Sequence, residues 1–237
     1  IATEPAERAL LDILDTTARG IEVAYLEAAL EKLAAGKHVE SILRVAREIL
    51  SNPPEEEPDA FLSLVDRRSM GYLYAILVKH KDLDFVKTAK DSLVTPEGTI
   101  DPYTLNYLRL VLGEKAMPIL LAAYTNGRIT TDNDKMILRD AALRFIGSDP
   151  QADQIFFETV KEGLAKMKGG DMFDMKKYEH VSQPLGALMR DVDDQPVEVI
   201  ANRRALLNNV RKQSSDIFLQ FGFNMMDKRL GDVQKRK

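Results

Sequence analysis

The chain has 237 residues, 45% of them hydrophobic and 30% charged, with a net charge of −4 and no cysteine. This composition excludes a mostly disordered chain, and the missing thiols exclude disulfides, thiolate catalysis and cysteine-based zinc or iron–sulfur sites. No run approaches the roughly 18 apolar residues of a membrane span, so a soluble chain is expected, either cytoplasmic or periplasmic or secreted after signal removal.

In chain order, nearly everything reads as helix. Apolar residues at i, i+3, i+4 and i+7 predict helices over about 4–18, 21–35 and 38–51. In HVESILRVAREIL the stripe is Val39, Ile42, Leu43, Ala46, Ile49 and Leu50, and Gly36 stops the helix before it. SNPPEEEPD, Ser51 to Asp59, reads as an extended loop because its prolines and glutamates oppose both helix and burial. It separates an N-terminal helical hairpin region, 1–51, from a repeat region, 58–237, within one continuous domain. Helices follow at about 58–80 with a break near Arg68, then 83–94, 102–112, 114–126, 132–147 and 150–168. Short helices at 172–179 and 182–190 precede longer ones at 196–212 and 214–230. Asp101-Pro102 and Asp149-Pro150 each set a capping carboxylate before a proline suited to a first turn, and Thr131 or Asp132 caps the next helix.

One apolar hexamer recurs at an interval of 35 residues: YLYAIL from Tyr72, YLRLVL from Tyr107 and ALRFIG from Ala142. Leu73, Leu108 and Leu143 fall in register, as do Ile76, Val111 and Ile146, and each hexamer is followed by a turn and another apolar helix. PLGALM from Pro184 is a weaker fourth copy. Helix pairs of this length bury their apolar faces by stacking on one another. LRDAALRFIGSD, Leu138 to Asp149, resembles the second helix of a HEAT-type repeat: a charged pair, small residues, apolar positions, then Gly and a turn. The resemblance covers 69–168 and, more loosely, 184–210. It implies an all-α, curved, right-handed α–α superhelix that acts as a scaffold for other macromolecules, and it implies no reaction. An irregular helical bundle is the alternative architecture.

Chemistry-bearing patterns are sparse. His38, His80 and His180 stand apart, without the second ligand at i+3 or i+4 that a helical zinc site needs. DVDDQPVE, Asp191 to Glu198, lacks the glycine and the final glutamate of a calcium loop and reads as an inter-helix turn. No nucleophile elbow, phosphate loop or metalloprotease motif is present, so no catalytic residue, metal or cofactor is assigned.

The repeat instead sets Tyr74, Arg109 and Arg144 beside the register leucines, with Tyr72 and Tyr107 forming a second column. Tyr and Arg are common interface anchors, while arginine stems also cover core edges. The last helix, SSDIFLQFGFNMMDKRL, is apolar nearly all round. Either it docks deeply, or Phe218, Phe221 and Met225 face a protein or peptide partner or a second copy of the chain. Residues 196–237 carry nine Lys/Arg against four Asp/Glu, leaving a charge of −9 on residues 1–195. The leading expectation is therefore a non-catalytic protein–protein interaction scaffold or adaptor. Some DNA glycosylases also resemble HEAT repeats, but a nucleic-acid partner would need a basic face with stacking aromatics. The acidic first 195 residues and the absence of Trp argue against it. An unrecognised enzyme in an irregular bundle is the third reading.

Overall fold

The computed structural model describes residues 4–53, 60–125, 127–167 and 176–237, with side chains given for all of these except 60–68 and 176–177. Among them the protein is helical throughout, apart from one isolated antiparallel bridge, Val94 to Ile100, around the turn at Thr95–Thr99. The chain divides into two compact units, Ile1–Gly113 and Glu114–Lys237.

The first unit holds α1 (Glu4–Thr16), α2 (Gly20–Leu33), α3 (Val39–Ser51), α4 (Ala60–Lys79), α5 (Val86–Ser92) and α6 (Pro102–Leu112). Two pairs of alternate helices, α1 with α3 and α2 with α4, run side by side in the same direction. Glu7 and Asp15 of α1 meet Lys37/His38 and Arg44 along α3. Gly20 and Glu27 of α2 meet Ser69 and Lys79 along α4. Tyr74 of α4 meets Thr104 and Tyr107 of α6. The α2–α4 contact is close: a Cβ on Gly20 would stand 2.3 Å from the Ser69 carbonyl oxygen. Leu14, Leu30, Leu73, Leu77 and Leu108 fill the space between.

The second unit follows a 3₁₀ turn, Gly113–Ala116. It holds α7 (Met117–Thr125), α8 (Asp132–Ala142), α9 (Pro150–Lys166), α10 (Lys176–Ala187), α11 (Val197–Arg211) and α12 (Ile217–Arg236). The expected caps form: Asp101, Thr131 and Asp149 each accept amide hydrogens of the following turn. Its core gathers Leu143, Ile146, Phe156, Val160, Leu188, Ile200, Leu207 and Phe223.

Three expectations change. Helix α4 runs unbroken from Ala60. The third hexamer is not α-helical beyond its first residue: Leu143–Phe145 form a 3₁₀ turn and Gly147 takes φ +83°, so ALRFIG runs past the end of α8, whereas the other two hexamers are α-helical throughout. The split near residue 180 is also absent, because Pro184 sits inside α10. Proline has no N–H for the His180 carbonyl. That carbonyl lies against Gly163 of α9, where a Cβ would come within 2.5 Å of it. Residues 172–175 of the expected short helix and 54–59 of the expected loop lie outside the described residues.

Candidate functional site

Helix α12 begins where Asp216 accepts hydrogen bonds from the amides of Phe218 (3.0 Å) and Leu219 (3.1 Å). This cap satisfies donors that would otherwise be orphaned. The Tyr178 hydroxyl of α10 donates to the other Asp216 oxygen at 3.1 Å, and its ring meets Phe218 edge-on. Burial and this bond raise the Tyr178 phenol above its ordinary range. Gln220 donates to the carbonyls of Arg211 and Ser214 and fixes the incoming turn.

One face of α12 is buried. Leu219, Phe223, Leu230 and Val233 join the core of the second unit, and Arg204 of α11 clamps Asp227 at 2.6 and 3.2 Å. The opposite face is open over its first half: Ile217 is 82% exposed, Phe218 53%, Phe221 68% and Met225 60%. Positions 217, 221 and 225 are four apart, so they form one stripe along the helix. Burying a side chain of this kind stabilises by about 1.5–3 kcal/mol, a gain these four largely forgo. The helix docks through one face and leaves Phe218, Phe221 and Met225 exposed on the other.

The tyrosine and arginine columns need correction. Tyr107 is fully buried, and its hydroxyl donates to the Asp82 carbonyl at 2.7 Å. Tyr74 is half-buried, stacked on Tyr103 at 6.1 Å, and hydrogen-bonded to Thr104 at 2.7 Å. Burial pushes the Tyr74 phenol up to about 12 and raises that of Tyr107 as well. With Phe85, Tyr74 and Tyr107 form an aromatic cluster, edged by Tyr103, because α4 and α6 approach so closely that a Cβ on Gly71 would stand 2.7 Å from the Tyr103 ring. Arg109 is half-buried and donates to Asn106 of its own helix at 2.7 Å. Tyr72 (48% exposed) and Arg144 remain at the surface.

Two features escape a sequence reading by motif. Glu7 accepts from Lys37 and His38, and Glu27 accepts from Lys79 (2.5 Å) and His80 (3.2 Å), so each Lys-His dipeptide grips one helical glutamate. The second feature is Arg203, fully buried, which donates to the carbonyls of Ile146, Leu188 and Arg190. Its place in the stripe Val199, Ile200, Arg203, Leu206, Leu207 is the signal that marks it as interior.

Among the described residues no three His, Asp or Glu side chains converge as metal ligands, and no helix is long and apolar enough to cross a membrane. Asp193 of the acidic turn binds Arg229 (2.5 Å) and Arg236 (3.2 Å). Comparison with protein-family models, curated proteins and solved structures gives no match.

Proposed function

We propose that the protein is a non-catalytic protein–protein interaction scaffold whose binding surface includes the open face of α12. The carrying observation is the apolar stripe Ile217, Phe218, Phe221 and Met225, held on a capped and clamped helix yet left in water. A continuous exposed apolar patch is the usual mark of an interaction surface, and Phe with Met gives large, adaptable contact area. The same-direction packing of α1 with α3 and of α2 with α4 supports a HEAT-like repeat arrangement within the first unit. One described pocket, of about 290 Å³, lies open along α1 beside Glu4, Arg8 and Asp12. Another, between α7, α8 and α9, is lined by Leu120, Tyr124, Leu138 and Ile155 and has room for only about 10 Å³.

The test is photo-crosslinking in the native host, with benzoylphenylalanine in place of Phe221 and, separately, of exposed Leu83. Discrete protein adducts from position 221 that are missing from position 83 are expected. No adduct at 221, or adducts to nucleic acid, would overturn the proposal.

A further inference from the structure

We propose that Met225 is a reversible oxidation switch: a peroxide converts its thioether to the sulfoxide and turns the open face of α12 from apolar to polar without unfolding the helix.

The chain has nine methionines and no cysteine, so its sulfur redox chemistry is confined to thioethers and no thiol of its own competes for the oxidant. Oxidation of a thioether follows its access to solvent. Among the described residues Met225 is the most exposed methionine, at 60% against 37% for Met136. Met117 is fully buried, and Met167, Met189 and Met226 are partly buried against the core of the second unit.

Its place in the helix separates surface from fold. Met225 follows Phe221 by one turn and Ile217 by two, on the stripe that faces water. Leu219, Phe223, Leu230 and Val233 hold the opposite face to the core, and Asp227 is clamped by Arg204. A polar group at position 225 therefore alters the exposed stripe and leaves those contacts in place. The adjacent Met226 is the internal contrast, because a sulfoxide there would set a polar group against the core and loosen α12.

The chemistry closes with one co-reactant in each direction. The sulfur accepts one oxygen atom and loses two electrons; the peroxide O–O bond breaks, and the other oxygen leaves with both protons as water. A dithiol reverses the step through a methionine sulfoxide reductase: two thiols become a disulfide and the oxygen leaves as water. The sulfoxide oxygen is a hydrogen-bond acceptor, and the exposed Lys228, three residues further along the helix, is a neighbouring donor. The consequence for a partner, and only that, rests on the scaffold reading above.

The experiment treats the full chain with hydrogen peroxide for graded times and maps sulfoxide at Met117, Met136, Met225 and Met226 by mass spectrometry. Met225 should oxidise several-fold faster than the other three, while the urea midpoint stays unchanged until Met226 follows. Methionine sulfoxide reductase with dithiothreitol should restore the parent mass, and Met225→Leu should remove the fast phase. Oxidation of Met225 no faster than that of Met136 or Met226 would overturn the proposal, as would a midpoint that falls in step with it or a failure of the reductase to reverse it. Adducts from benzoylphenylalanine at position 221 should weaken after oxidation and return after reduction. Adducts unmoved by oxidation of Met225 would overturn the switch and leave the scaffold reading intact. Fast, reversible oxidation with no adducts before or after would overturn the scaffold reading and leave the oxidation site.

Discussion

Glu27 shows how a buried carboxylate is tolerated. Burial pushes it up, but hydrogen bonds from Lys79 and His80 outweigh that and hold it below the usual carboxylate range. A lowered folded pKa stabilises above the unfolded value, and the effect fades as pH falls through the folded one. Glu27→Gln should therefore be less stable than the parent at neutral pH by up to about 1 kcal/mol, since half-exposed Lys79 is screened by solvent. The gap should close below about pH 4, as followed by urea titration across pH. Arg203 is the sharper case. Removing its guanidinium takes its donors from the buried carbonyls of Ile146 and Leu188 and from the part-buried one of Arg190, and Arg203→Met should cost about 3–5 kcal/mol. Arg203→Lys should recover only part, because one ammonium lacks the planar fork. The urea midpoints of the two variants would measure this.

At the scale of elements, close approach decides what varies freely. Gly163 of α9 stands against the His180 carbonyl that Pro184 leaves without its helical donor, so Gly163→Ala should strain the α9–α10 contact. The expected loss is about 1–3 kcal/mol, read as a lowered thermal midpoint, whereas Gly222→Ala, with open space around it, should raise the midpoint slightly. Caps were the most legible elements in the sequence, because Asp-Pro and Thr-Asp carry their own local bonding. The two halves of α12 were less legible. Its residues are apolar on both sides, and only the position of α11 decides which side is covered. The proline in α10 misled for the same reason: the His180 carbonyl it leaves without a helical donor lies against Gly163, 17 residues earlier in sequence.

Across the whole chain, the 35-residue recurrence predicted buried leucines better than it predicted backbone. Leu73, Leu108 and Leu143 are each at most 1% exposed, although the last lies in a 3₁₀ turn. Replacing each by Ala should cost about 2–5 kcal/mol, and chemical denaturation of the three variants would show comparable losses. Their neighbours did not follow the period. Tyr74 and Tyr107 entered an aromatic core because α4 and α6 converge, a fact fixed by inter-helix distance and invisible to spacing along one chain. The open face of α12, by contrast, drew on residues singled out beforehand: Phe218, Phe221 and Met225.

The joint built on Arg203 has one more consequence. Its three acceptors are backbone carbonyls, which do not titrate near physiological pH, and a guanidinium keeps its proton. The carboxylate grips at Glu7, Glu27 and Asp227 all dissolve once protonated. Acidification should therefore loosen the chain unevenly, freeing α1, α2 and the α11–α12 clamp while the Arg203 knot still holds. Amide exchange at low pH would find the segment around Leu188 and Arg190 among the last regions to give way, while the Gly147 amide, held by the Asp153 carboxylate, would open earlier.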